Sequence, residues 1–197
     1  MMFSNNDELY IDMIKSNLEK RILIFNQSID DSLLESYIMN IIKWNEEDRD
    51  IPVDKRKAIW IILNSGGGET LSGIMFLDVI QQSITPIKCL VIGIAASMAS
   101  YIPMITESYG FKNSIICLHD GQSGVYSSSR KANDIMEFYK SCDDVLEDII
   151  LNNTSMTEEF LEGIADREFY VFSKKAKELG IIDYIIGEDC TLDDVLI

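Results

Sequence analysis

Short apolar runs alternate along this chain with stretches whose apolar residues recur at helical spacing, and that alternation limits the fold more than any other feature. The runs cover 21–25, 58–63, 87–92, 114–118 and 181–186. Leu9, Met13, Ile14 and Leu18 mark a first helix. Leu33, Tyr37, Ile41 and their neighbours mark a second, with Asp30 or Asp31 as its N-cap. A helix is predicted over 70–82, and another begins near Ser97. A long stripe runs from Ala132 through Met136, Tyr139, Cys142 and Leu146 to Ile150. Thr157 caps a later helix, and a short one from Ser173 closes on Gly180 as its C′ residue. The charged segment 45–56, which contains Pro52, reads as a loop. Strands separated by helices build βαβ units, so the pattern predicts an α/β fold with a largely parallel sheet. At 197 residues, without repeat or linker, one domain is expected.

Charge and cysteine usage narrow the partners. Lys and Arg number 17 against 33 Asp and Glu, a net charge of −16. Nucleic acid and anionic membrane both demand a basic face, so neither is expected as a partner. The stretch 89–106 carries no charge and is about as long as the shortest membrane span. Gly93, Ser97, Ser100 and Pro103 interrupt it, which favours a buried strand running into a buried helix. Cys89, Cys117, Cys142 and Cys190 lack metal-ligand spacing and read as idle thiols in a reducing compartment. Asn5, Asn6, Asp7 and Glu8 break any signal-like apolar start. A cytoplasmic protein without metal or cofactor is the expectation.

Three strand ends carry groups that could do chemistry, and α/β folds place active groups there. His119 is the sole histidine and follows the run 114–118. Ser97 lies at a strand-to-helix junction among small neighbours, in Gly93-Ile-Ala-Ala-Ser97-Met98. A serine at such a junction commonly caps a helix, and a lone histidine is commonly structural. The third junction is Asn64-Ser-Gly-Gly-Gly68-Glu69, which lacks the lysine of a phosphate loop and places a carboxylate where phosphate would sit. Glycines there suit a cradle for a transient oxyanion. A serine hydroxyl needs a base, imidazole exchanges protons near neutral pH, and the base needs an acid to fix its tautomer. Together the three junctions suggest acyl transfer.

These residues resemble a known family. Asn64-Ser-Gly-Gly-Gly68, Gly93-Ile-Ala-Ala-Ser97-Met98-Ala99-Ser100, Leu118-His119 and Ala176-Lys-Glu-Leu-Gly180-Ile-Ile-Asp183 are similar, in order, to the Clp protease proteolytic subunit. The resemblance implies a crotonase-like fold, a repeated β-β-α superhelix with a protruding handle helix, the head at 1–120 and 153–197 and the handle at 121–152. It implies a serine endopeptidase, with Ser97 as nucleophile, His119 as base, and the Gly68 and Met98 amides as oxyanion hole. Gly67, Gly121, Gly124, Val125 and Tyr126 fall in the segments that pair with substrate. Counting back without gaps from Ala176 puts Glu168 at the acid's position, with Asp166 as the alternative. The implied assembly is a homo-oligomer, a heptamer or double heptamer, working with an AAA+ ATPase that unfolds polypeptide substrates and itself consumes the ATP. The chain departs from the family's Ser-Pro-Gly-Gly at Gly66, and Asp120-Gly121 stands where Gln-Pro is usual.

Two other readings share these residues. A crotonase-type acyl-CoA enzyme would use the same backbone oxyanion hole but needs basic residues for the CoA phosphates. A non-catalytic subunit of a mixed ring would need neither Ser97 nor His119. The stripes at 33–44 and 130–152 suit either subunit contacts or the chain's own core.

Overall fold

The computed structural model describes residues 5–121 and 128–195. Helix α1 (Asn5–Glu19) leads into β1 (Ile22–Phe25). A π-helical turn (Leu34–Ile38) runs without a break into α2 (Met39–Glu47). Strand β2 (Ile59–Ser65), α3 (Thr70–Gln81) and β3 (Ile87–Ala96) complete one βαβ unit. After β3 come a 3-10 turn (Ser97–Ser100), α4 (Tyr101–Met104), β4 (Glu107–Phe111) and β5 (Ile115–Leu118). The chain ends with α5 (Ser129–Asn153), α6 (Glu158–Ile164), β6 (Phe169–Phe172), α7 (Ser173–Glu178) and β7 (Tyr184–Ile186).

Strands β1, β2, β3, β4 and β7 lie side by side in that order, all parallel. Strand β3 changes neighbour along its length. Lys88–Val91 pairs with β4, whereas Ile94–Ala96 pairs with β5. Strand β6 then adds antiparallel to β5, so the sheet is mixed rather than wholly parallel. Where β2 slips register between Leu63 and Ser65, the Asn64 side chain repairs the ladder: its Oδ1 accepts from the Ile94 N–H at 3.1 Å. A Cβ on Gly93 would lie 2.3 Å from that oxygen, so the repair requires a glycine there.

The main core packs Phe25, Leu33, Tyr37, Phe76, Ile61 and Ile102 against one another, none more than 6% exposed. The stripe Leu33, Tyr37, Ile41 and Trp44 is all buried and belongs to this core rather than to a subunit contact. The stripe on α5 divides. Cys142, Leu146, Ile149 and Ile150 are buried, but no residue from Ser129 to Ser141 is. The first half of α5 therefore adds no fully buried side chain to the core.

Several expectations are corrected. Strands β4 and β6 are additional to those read from the sequence. Asp30 does not cap the helix; its carboxylate accepts from the Ser32 N–H within the preceding turn. Asn45, Glu46 and Glu47 are helical, and Asp48 is 1% exposed. Arg21 Nη1 and Nη2 donate to its two oxygens at 2.6 and 2.9 Å, and Thr85 Oγ1 donates at 2.8 Å. A buried carboxylate is retained only when paired and hydrogen-bonded, and Asp48 meets both conditions.

Candidate active site

The glycine loop is shaped by contact with its own chain. Ser65 Oγ donates to the Gln27 carbonyl at 2.6 Å and accepts from the Gly67 N–H at 3.1 Å. The Ile29 N–H donates to Gly67 O, and the Glu69 N–H donates to Ile29 O, both at 2.9 Å. A Cβ on Gly68 would lie 2.1 Å from Ile29 O. Gly67 has φ +89, and a Cβ there would meet Ala96 O at 2.5 Å, Ser97 Cβ at 2.7 Å and Met98 N at 2.9 Å. Two glycines are thus demanded by sterics, which lays the loop directly over Ser97. Gly66 has nothing within 4 Å of its own notional Cβ.

Ser97 has φ +50, in the left-handed region that non-glycine residues seldom adopt. Such a residue costs about 1–3 kcal/mol and persists only where its surroundings hold it. Here Ser100 Oγ donates back to the Ser97 carbonyl at 2.7 Å, and the glycine loop closes the other side. Met98 is the second residue of the 3-10 turn that Ser97 opens, where the first N–H groups have no intrahelical acceptor.

His119 arrives from the neighbouring strand. Ala96 pairs with Cys117 in the β3–β5 ladder, so Ser97 and His119 leave the same end of adjacent parallel strands. They line one cleft of about 510 Å³, together with Gly68 and Met98. Among the described residues the Ser97 hydroxyl and the imidazole share no hydrogen bond. Unliganded catalytic contacts are commonly long and tighten with substrate.

The acid question turns on β6. Leu118 pairs with Phe169 across the antiparallel ladder, which brings the next pair, His119 and Glu168, face to face. His119 Nδ1 lies 3.4 Å from Glu168 Oε1. Asp166 sits in the turn before β6 with φ +57, and its N–H donates to Asp120 Oδ2 at 2.5 Å. Among the described residues, no hydrogen bond or ion pair joins Asp166 to His119. Glu168 Oε2 in turn accepts from the Cys117 thiol at 3.5 Å. Cys117, read from sequence as an idle thiol, is thus a near neighbour of the site, and no local pattern announced it.

Three carboxylates, Asp120, Asp143 and Glu147, also line the cleft, with no lysine or arginine among its lining residues. Burial pushes the Tyr101 hydroxyl up to about 12, and the charges of Asp143, Asp120 and Glu147 add to that. Burial likewise raises Asp143, helped by Asp120 and Asp144. Of the residues expected to meet substrate, Gly121 borders the cleft; Gly124, Val125 and Tyr126 lie outside the described residues. Among the described residues no cluster of His, Cys, Asp or Glu is arranged to hold a metal ion, and no helix is long and apolar enough to cross a membrane.

The model of the Clp protease family matches residues 5–189. The chain belongs to the Clp protease family. The "ATP-dependent Clp protease proteolytic subunit" of Cyanophora paradoxa is 26% identical over 183 residues, spanning 91% of each chain. Membership of this family accords with a serine-type peptidase role.

Proposed function

We propose that this chain is a serine endopeptidase, the proteolytic subunit of a compartmental Clp-type protease that cuts unfolded polypeptides into short peptides. The observation that carries the reading is the convergence of Ser97, His119 and Glu168 at one sheet end, beside a glycine loop pressed onto the serine. Ser97 Oγ attacks the scissile carbonyl as His119 Nε2 takes its proton. Glu168, on Nδ1, holds the imidazole in the tautomer that leaves Nε2 free to accept. The carbonyl oxygen becomes an oxyanion facing the Gly68 and Met98 N–H groups. His119 then returns the proton to the leaving amine, and water hydrolyses the acyl-enzyme by the same steps.

Assembly follows from the same reading. The chain takes the crotonase-like superhelix of its family and packs as heptameric rings, with the first half of α5 as the handle between rings. An AAA+ ATPase supplies unfolded substrate; the Cyanophora relative carries the name of an ATP-dependent protease subunit. Residence in the cytoplasm suits an enzyme with free cysteines and such a partner. The acyl-CoA alternative gains no support from a cleft lined by carboxylates, with no lysine or arginine among its described lining residues.

Ser97→Ala is the direct test. Hydrolysis of a fluorogenic peptide falls by at least about 10⁴-fold, and covalent labelling by a fluorophosphonate disappears, while assembly is unchanged by mass. Undiminished labelling of this variant would remove Ser97 from the mechanism.

A further inference from the structure

Glu168 is largely exposed, its side chain 58% accessible. A glutamate in that position has three rotatable bonds and should wander in water, yet its task requires one oxygen on His119 Nδ1. His119 itself cannot supply the anchor, since one contact at 3.4 Å leaves the far end of the carboxylate free to swing about it. The second contact comes from below. Cys117, 1% exposed, points its Sγ at Oε2 from 3.5 Å. Oε1 thereby faces the imidazole and Oε2 the thiol, with the Tyr170 hydroxyl next to both Glu168 and Cys117.

We infer that Cys117 is a positioning residue, its thiol donating to Glu168 Oε2 so that Oε1 is held on His119 Nδ1. The inference rests on the peptidase reading of Ser97, His119 and Glu168. The backbone makes the arrangement possible. Cys117 stands two residues before His119 on β5, so both side chains emerge on one face of the strand. Cys117 also pairs with Tyr170, two residues beyond Glu168, in the β5–β6 ladder. The thiol is therefore fixed by two strand pairings, β3 on one side and β6 on the other.

The chemistry agrees with the geometry. To donate, the group must be a thiol and not a thiolate. Burial holds Cys117 above the usual thiol range, and although Tyr170 pulls it down, the Glu168 carboxylate pushes it up again. Its other acceptor within reach, the Leu118 carbonyl, is more distant at 3.9 Å. A thiol is a weak donor, but its acceptor here is charged, which strengthens the bond.

The test compares Cys117→Ala, which removes the donor, with Cys117→Ser, which keeps one. The inference expects kcat for a fluorogenic peptide to fall about fivefold in the alanine variant, with KM unchanged. It expects the serine variant to recover most of that loss, although serine fits an apolar site no better than alanine. Unchanged kcat in Cys117→Ala, or a loss that Cys117→Ser does not recover, would overturn it. A readout independent of turnover comes from the sole histidine, whose imidazole gives a single set of nitrogen and proton resonances in selectively labelled protein. The Nδ1–H signal should be sharp in the parent and in Cys117→Ser, and broadened by exchange in Cys117→Ala. An unchanged signal in the alanine variant also overturns the inference. Failure of the peptidase reading is told apart by the parent protein, which would then resist fluorophosphonate labelling whatever Cys117 does.

Discussion

Gly66, Gly67 and Gly68 occupy consecutive positions and answer to different forces. Gly67 is pinned at a positive φ against Ala96, Ser97 and Met98, and Gly68 against Ile29. Gly66 meets nothing. Gly66→Ala should therefore fold and keep its peptidase activity, stabilised by about 0.5 kcal/mol through the lowered entropy of its unfolded chain. Gly67→Ala should lose peptide hydrolysis, because the added carbon displaces the backbone that holds Ser97. Thermal melts and peptide assays on the pair will check both outcomes. The sequence displays three equal glycines; what separates them is tertiary contact, which no local pattern records. Cys117 is the same lesson reversed. A cysteine inside an apolar strand reads as filler, and only the antiparallel partner of that strand shows what faces it.

Among the elements, the long helices were legible from their helical periodicity, and the buried strands β2 and β3 from their unbroken apolar runs. Strand β4 was not: Glu107-Ser-Tyr-Gly-Phe111 opens on a charge and carries a glycine, so it resembles a turn. Strand β6 is four residues long, Phe-Tyr-Val-Phe, without enough length for a period. Its loss from the sequence reading mattered, since the β5–β6 register decides which acid faces His119. The junction at Asp48 was also misread. In a charged segment nothing distinguishes the one carboxylate that turns inward to meet Arg21 and Thr85. The Arg21 guanidinium holds Asp48 below the usual carboxylate range. A depressed native value means that the pair contributes full stability above the unfolded carboxylate range, near pH 4, and loses it as pH falls further. Asp48→Asn should therefore lower Tm at pH 7, and the gap between variant and parent should narrow as melts are repeated toward pH 3. Asp48→Ala, which strands the arginine, should cost about 3 kcal/mol at neutral pH.

At the scale of the whole molecule, the first half of α5 keeps large apolar side chains in water. Met136 and Phe138 on α5 are 49% and 53% exposed, and a lone chain would gain nothing from presenting them to water. The ring reading gives them neighbours. At micromolar concentration the solution mass should be a multiple of the 22.4 kDa protomer, and Phe138→Asp should shift it toward smaller species with the helical circular dichroism retained. A parent that stays monomeric at that concentration would rule out a closed chamber.

The hand-over along β3 has a consequence for how such an enzyme rests. Strands β5 and β6 form a ribbon that carries both His119 and Glu168, while the glycine loop belongs to β2 on the opposite flank. A tilt of the ribbon would move base and acid in step. Through any such tilt, imidazole and acid would keep their spacing, because one antiparallel ladder carries both.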